Sequence, residues 1–458
     1  MVTGKTPFLR EDKIFYSNAG YSLDVSSLVM DVAIKSTESG YRVRNIKIEG
    51  YLCKTNCPSN TAFRGFGHPQ AVAIMEDVVF KIANKLNIRS EKVREISLCQ
   101  EGNVTPYGMK LVKCTIPELW EKCKSDSAYE NRLKDIEQFN KNNKWKKRGI
   151  AMTASKYGIG FAVSFMNQGA ALVNIYSDGS VLVAHGGIEM GQGLNTKLIQ
   201  IASRVLGIPK EKIHTIGSST REIPNTMVTA ASMGTDLYGP AVKDACENLN
   251  KRLIPLKSEM PDATWEKLIF KAFFSRVQLS ATGFNCPQKQ NTDGAYDYFT
   301  YGVACSEVEI DVLTGESQVL QSNLYVDCGK SLNPAVDIGQ IEGAFVQGLG
   351  MVTSENMEID EKGRLNTCSP LGYKIPNIKS IPRKFIVKLL KNHDIVTNIY
   401  SSKSVGEPPL ILSLSVLAAI KEAIQSARAQ IGITGYFRLD CPATVQRIQE
   451  ACGQQIKL

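Results

Sequence analysis

The chain has 458 residues, 43% hydrophobic and 22% charged, a balance that excludes a disordered or fibrous class. Such a length holds two to four domains at roughly 100–200 residues each, with a core large enough to stand without disulfides. A formal net charge of +9 is mild for this length, and no nucleic-acid motif accompanies it, so nucleic acid is not an expected partner.

The N-terminus, Met1-Val2-Thr3-Gly4-Lys5, is polar, lacks a signal-peptide core and looks like an entry into the middle of a domain. Val72, Met75, Val79, Ile82 and Leu86 recur three or four apart, the spacing of one buried helix face. Tyr129 to Gly149 is rich in Asn, Lys and Glu. It contains the densest basic cluster, Lys141, Lys144, Lys146, Lys147 and Arg148, and is expected to be a solvated connector between domains.

A hairpin is predicted over 171–184, turning at Ser177-Asp178-Gly179-Ser180. Leu194, Leu198, Ile201 and Val205 predict another helix. The segment from Gly283 to Asp297 reads as a surface loop or a boundary. A second hairpin is expected over 303–325, and a last helix carries Leu412, Val416, Ala419, Ile420 and Ala423. The apolar run at 410–420 stops at Lys421, short of the roughly 18 residues that span a bilayer. The elements imply an α+β fold. The domains expected are residues 1–140 and 150–458, with a further division near 290 left open.

The twelve cysteines are scattered and form no C-x-x-C pair. No zinc or iron–sulfur site is expected of them; they read as reduced thiols of a cytoplasmic protein. His68, His185, His214 and His393 stand in no zinc-hydrolase or serine-hydrolase context.

A small-residue loop before a helix recurs five times: Thr61 to Pro69, Gly186 to Gly193, Val228 to Asp236, Asp337 to Gly343, and Gly406-Glu407-Pro408-Pro409. Helix N-termini expose unpaired N–H groups and partial positive charge, and glycine admits a ligand close to the backbone. Together such loops suit a large, polar, phosphate-bearing ligand. Arg64 adds a cation, and Gln192 and Gln340 add amides. No dinucleotide or Walker pattern is present. Glu407, stiffened by two prolines, is placed to abstract a proton. From the residues alone, an acidic side chain favoured by a helix N-terminus explains it as well.

Thr61-Ala62-Phe63-Arg64-Gly65-Phe66-Gly67, the Gly186-to-Gly193 loop, Gly339-Gln340-Ile341-Glu342-Gly343-Ala344-Phe345-Val346-Gln347-Gly348 and Val405-Gly406-Glu407-Pro408-Pro409 together resemble the xanthine dehydrogenase and aldehyde oxidase family. The resemblance runs in the same order over nearly the whole chain. It implies two molybdopterin-binding domains of mixed sheets and helices, the first of them partial, with the cofactor between them. The metal is then held by the pterin dithiolene, without a side-chain ligand. Arg64 and Ala231 match positions that approach molybdenum. Gln192, Ala230, Ser232, Met233, Gly234 and Gln340 match the neighbourhood of the pterin. Phe66 and Phe161 match aromatic residues flanking a planar substrate, and Ala162 another substrate-facing position. Glu407 matches the base that withdraws a proton as water-derived oxygen is delivered to the substrate. Electrons then leave through 2Fe-2S clusters and FAD to dioxygen, in a protein that is usually a homodimer.

The position 32 residues before Arg64 is Val32, where the purine-oxidising branch carries arginine. Valine offers no donor to a purine carbonyl. The resemblance therefore favours an aldehyde substrate over the purine alternative. Domains for the iron–sulfur clusters and flavin, and the first portion of the molybdenum region, have no counterpart here. Pro7-Phe8-Leu9 passes almost directly to Tyr16-Ser17-Asn18, where the family has a longer strand-forming segment. A non-catalytic fragment is thus the other alternative.

Overall fold

The computed structural model describes residues 10–287, 295–391 and 398–453. It begins with β1 (Arg10–Gly20), α1 (Ser26–Ser36) and β2 (Asn45–Lys54). The two strands pair in parallel, which requires a crossover such as α1 between them. Four helices follow: α2 (His68–Leu86), α3 (Ser90–Ser97), α4 (Ile116–Asp126) and α5 (Tyr129–Asn142). Gly67, left-handed at φ 95°, precedes α2, and Pro69 occupies its first turn. The predicted face buries Val72, Met75 and Val79, but Leu86 emerges into solvent at the last turn.

The chain then forms β3 (Lys146–Ile159), β4 (Gly169–Ile175), β5 (Val181–His185), α6 (Leu194–Leu206) and β6 (Ile213–Thr215). Next come α7 (Gly234–Glu259), α8 (Trp265–Phe274), β7 (Ser280–Asn285), β8 (Tyr298–Asp311) and β9 (Ser317–Asp327). It ends with α9 (Pro334–Thr353), β10 (Lys384–Leu389), a 3-10 turn over Pro408–Ser413, α10 (Leu414–Gln430) and α11 (Val445–Ala451). Both predicted hairpins form, as β4–β5 and β8–β9, each antiparallel. One four-stranded sheet has the order β10-β9-β8-β3 and the other β6-β5-β4-β7.

Each four-stranded sheet receives a helix through a glycine. A Cβ on Gly149 of β3 would stand 2.0 Å from the Ala419 carbonyl oxygen of α10. One on Gly283 of β7 would stand 1.9 Å from that of Ala241 in α7. These contacts let the helices approach closer than side chains allow. Gly149→Ala should push a methyl into helical backbone and lower stability by about 1–3 kcal/mol. Urea unfolding of the two proteins measures this; an unchanged midpoint would disprove the close contact.

The sequence expectation fails locally in four places. The polar stretch from Tyr129 to Gly149 is not an open connector: α5 buries Tyr129 and Ile136, and β3 begins directly after it. Nor is its basic cluster a free surface. Lys147 is buried, donating to the Asn140 and Asn143 carbonyls, and Arg148 pairs with Glu309 at 2.9 Å. The stretch Asp337 to Gly343 is not a loop. Helix α9 starts at Pro334, capped by the Asn333 side chain, because Asn-Pro is a stronger start signal than the later glycines are a break. Finally, Pro408–Gln430 is long and apolar enough to cross a membrane by length and composition, with 83% of its apolar window buried within the protein. The helix runs past Lys421 as expected, with Lys421 paired to Asp77 at 2.5 Å and Glu422 accepting from Ser90. In the predicted 283–297 loop, Ser280–Asn285 is strand β7, and residues 288–294 lie outside the described residues. So does the N-terminal pentapeptide.

Candidate active site

The loop before α2 turns through Gly65, Phe66 and Gly67, all with positive φ (98°, 45° and 95°). A Cβ on Gly67 would lie 2.3 Å from the Val29 carbonyl oxygen of α1. The loop is therefore pressed against α1. The Arg64 Nε donates to the Gly406 carbonyl at 2.6 Å. Its two terminal nitrogens donate to the Gln347 side chain at 3.2 Å and to the Gln340 side-chain and main-chain oxygens at 3.2 and 3.3 Å. One guanidinium thus joins the first, fourth and fifth predicted loops, which its planar fork of donors permits.

Glu407 lies directly beside it. Its Oε2 accepts from the Tyr157 hydroxyl at 2.6 Å and from the Gly65 N–H at 3.1 Å. Its own N–H donates to the Ser232 hydroxyl at 2.8 Å. Burial of the carboxylate raises its pKa, against the opposing pull of Tyr157, Gly65 and Arg64. A carboxylate with a raised pKa, held on one oxygen by two donors, fits a general base near neutral pH.

The third loop contacts the segment that carries Glu407. Ala231 and Ser232 are left-handed at φ 53° and 58°, a strained conformation for residues with a Cβ. It is held because the Ser404 hydroxyl donates to the Ser232 carbonyl at 2.6 Å. Asp236 accepts from the Tyr298 hydroxyl at 2.7 Å, and burial raises its pKa to about 6. These polar partners tie the loop before α7 to the segment carrying Glu407.

The second loop meets α9 where the Gln340 side chain donates to the Gly191 carbonyl at 3.1 Å. Cβ atoms on Gly191, Gly339 and Gly343 would meet nothing within 4 Å. The backbone around Gln340 therefore faces open space. This suits a bulky polar ligand that approaches glycine backbone and borrows amide hydrogen bonds, so the residues present fit a pterin cofactor.

Two expectations change here. The N-terminus of α6 is not free for phosphate, because Glu189 already accepts from the N–H groups of Gly191, Gly193 and Asn195. The Gln192 side chain is folded onto its own loop, bonding the Met190 N–H and the Ile188 carbonyl.

The structure thus brings Arg64, Ser232, Gln340 and Glu407 into one polar network with Gly191. Ala230 is exposed, Ala231 and Gly234 are partly buried, and Met233 is buried in the core. Phe66 is partly buried, Phe161 is buried, and Ala162 is exposed in the loop that follows β3. Val32 lies partly buried on α1, the helix that supports the Arg64 loop. Sequence reasoning missed Tyr157 and Tyr298, which carry no motif of their own, and gave no role to Asp236, the last residue of the quoted Val228-to-Asp236 loop. Gln347 and Ser404 lay within or next to quoted motifs but were assigned no role. Among the described residues no three His, Cys, Asp or Glu side chains gather to hold a metal.

Two family models, each described as a molybdopterin cofactor-binding domain, match residues 11–98 and 122–382. The chain belongs to the molybdenum hydroxylase family. It is 49% identical over 98% of its length to the xanthine dehydrogenase/oxidase of Gallus gallus, covering 34% of that protein. It is 46% identical over 99% of its length to the xanthine dehydrogenase/oxidase of Mus musculus, covering 36%. The chain therefore spans about a third of the curated relatives it matches. The fold is similar to that of quinoline 2-oxidoreductase from Pseudomonas putida 86, with TM-score 0.84 and 20% identity over 99% of this chain and 61% of that one. It also resembles an aldehyde oxidoreductase from Desulfovibrio desulfuricans ATCC 27774, with TM-score 0.80 and 25% identity over 96% of this chain and 47% of that one. A mixed α and β molybdopterin-binding fold is thus common to this chain and its relatives.

Proposed function

We propose that Glu407 is the general base of a molybdenum-dependent hydroxylation, and that the substrate of the intact enzyme is an aldehyde. The observation that carries the first part is the Glu407 carboxylate, held by Tyr157 and Gly65 beside Arg64. When bound, the molybdenum cofactor supplies the two-electron oxidation. The protein's part is placement and proton transfer. Arg64, fixed by Gly406, Gln340 and Gln347, keeps a positive charge next to the carboxylate. Glu407 accepts the proton released as water-derived oxygen is delivered to the aldehyde carbonyl carbon, yielding the carboxylic acid. The Tyr157 hydroxyl and Gly65 N–H hold that carboxylate in place meanwhile. Gln340 and the loops of Gln192 and Ala230 to Gly234 would hold the pterin. Phe66, Phe161 and Ala162 would border the substrate. Residues 1–140 and 150–458 would form the two domains around the cofactor, in a cytoplasmic homodimer whose electrons leave through 2Fe-2S clusters and FAD to dioxygen.

Val32 supports the aldehyde over a purine, because an apolar side chain leaves a purine carbonyl without a donor. The second reading, purine hydroxylation, is favoured by the names of the relatives at 49% and 46% identity. Turnover of benzaldehyde and xanthine by the full-length protein carrying this chain separates the two. Benzaldehyde oxidation with xanthine turnover at least about 100-fold weaker is expected, since an unpaired buried polar group costs that much or more in selectivity. Preferred turnover of xanthine would replace the aldehyde assignment. Expression in a molybdopterin-producing host tests cofactor binding: molybdenum absent from folded protein would leave the chain a non-catalytic fragment.

A further inference from the structure

We infer that Tyr157 is a positioning residue for this reaction, its hydroxyl holding the Glu407 carboxylate ionised and aimed while His68 locks both donors to that carboxylate into one unit. The inference rests on Glu407 acting as the base, but its physical content is independent of turnover.

Tyr157 comes from β3, four residues before Phe161, on a strand buried along most of its length. Its hydroxyl lies 2.6 Å from Glu407 Oε2, the distance of a charge-assisted O–H···O⁻ bond. The phenol is itself held protonated, because burial and the adjacent carboxylate push its pKa far up. It therefore remains a donor wherever the carboxylate is ionised. The ring cannot swing away. It stacks on His68 with centroids 3.6 Å apart and planes 10° apart, and Tyr296 lies against the same imidazole at 6.2 Å.

His68 also fixes the second donor. It is buried, and its Nδ1 lies 3.1 Å from the Gly65 carbonyl. The Gly65 N–H is the other donor to Glu407 Oε2. One imidazole thus braces the tyrosine by stacking and the glycine by a hydrogen bond. Burial lowers the His68 pKa to about 3, so the brace stays neutral and leaves the charge balance around Glu407 to other groups. Those groups are Arg64 from the loop before α2, Tyr157 from β3 and the Ser232 hydroxyl on the Glu407 N–H. Asp236 and Tyr298 lie behind Ser404. Lys156, next to Tyr157 in β3, is occupied by Glu38.

A hydroxyl donating to a carboxylate stabilises its charged form. Removing it should leave Glu407 protonated to higher pH, in a pocket already unfavourable to charge. Tyr157→Phe deletes only that hydroxyl and keeps the ring that stacks on His68. In cofactor-free chain, an infrared pH titration follows the protonated carboxyl band that disappears in Glu407→Gln. Assignment by that variant separates the band from Asp236. The midpoint should move up by about one pH unit in Tyr157→Phe, the scale of one lost hydrogen bond to a charged group. Incorporation of 3-fluorotyrosine at position 157 makes a stronger donor and should move the midpoint down. It also preserves the test should Tyr157→Phe fail to fold.

In the molybdenum-loaded full-length protein, the acidic limb of kcat/KM should follow the infrared midpoint upward in Tyr157→Phe, with the alkaline plateau kept within a few-fold. A uniform fall at all pH values with an unmoved limb, or infrared midpoints that coincide in all three proteins, would overturn the inference. If the midpoints shift while Glu407→Gln retains full turnover, the tie between Tyr157 and Glu407 stands as a structural bond. The assignment of the base is then what fails.

Discussion

Replacing Glu407 by glutamine is expected to lower kcat of the molybdenum-loaded full-length enzyme by about 10²–10⁴-fold, the usual contribution of a positioned general base. Glutamine has the same shape, and its amide oxygen still accepts from Tyr157 and Gly65. What it loses is the capacity to take a proton. Substrate KM should change little, because no binding contact is removed. Stability should move the other way. Burial raises the Glu407 pKa, so the folded state binds the proton more tightly than the unfolded chain. That contribution is complete below the unfolded pKa and is lost as pH rises through the folded one. Above the folded pKa the ionised, buried carboxylate therefore costs stability, and at such pH Glu407→Gln should unfold at higher urea than the parent. Such a trade of stability for activity is common at active sites. Full turnover by the variant would remove Glu407 from the mechanism.

Lys403→Met is expected to destabilise the fold by about 3–5 kcal/mol, the loss typical when one member of a buried ion pair is removed. The Lys403 ammonium lies 2.6 Å from Asp327 Oδ2, with the two side chains only 3% and 1% exposed. Thr115 and the Gly329 N–H also donate to that carboxylate, each at 3.0 Å, and the ammonium lies over the Tyr301 ring at 4.8 Å. Methionine fills similar volume but leaves Asp327 charged, buried and without its cation. Lys403 begins the segment Lys403-Ser404-Val405-Gly406-Glu407, and its N–H donates to the Cys328 carbonyl at 2.8 Å. Loss of the pair should also loosen the base. Urea unfolding gives the stability change. Adding Asp327→Asn to Lys403→Met should recover part of it, because the uncompensated charge is then gone. A Lys403→Met protein as stable as the parent would show that the ion pair contributes nothing net.

Much of the fold was legible because periodicity and turn chemistry are local. The β4–β5 and β8–β9 hairpins follow from alternation around Asp178-Gly179 and Thr314-Gly315. Helix α2 follows from its apolar spacing and Pro69. The errors came from tertiary effects. The stretch from Tyr129 to Gly149 looks like a linker by composition, yet two buried side chains and the pairing of β3 with β8 are enough to order it. The apolar run looks too short to span a bilayer because Lys421 interrupts it, yet Lys421 and Glu422 find partners on other helices, Asp77 and Ser90, and the stretch Pro408–Gln430 is long and apolar enough by length and composition.

The site divides in the same way. Motifs alone marked Arg64, Gln340 and Glu407, because glycine- and proline-rich segments retain a signature in the chain. Spacing could not bring them together. Arg64 and Glu407 are separated by most of the sequence, and only tertiary packing brings the guanidinium to Gly406, Gln340 and Gln347. Tyr157 had no motif at all. Its role exists only because β3 carries it to Glu407 Oε2 and His68 stacks on its ring.

The sequence by itself therefore determined the two hairpins, the main apolar helices and the family, and it singled out Glu407 as a candidate, since these depend on residue type and near neighbours. Only the tertiary structure decided which groups set that acid's charge and direction. Burial, a hydrogen bond from a distant strand and a guanidinium from another loop are properties of spatial proximity, which no short stretch of the chain contains.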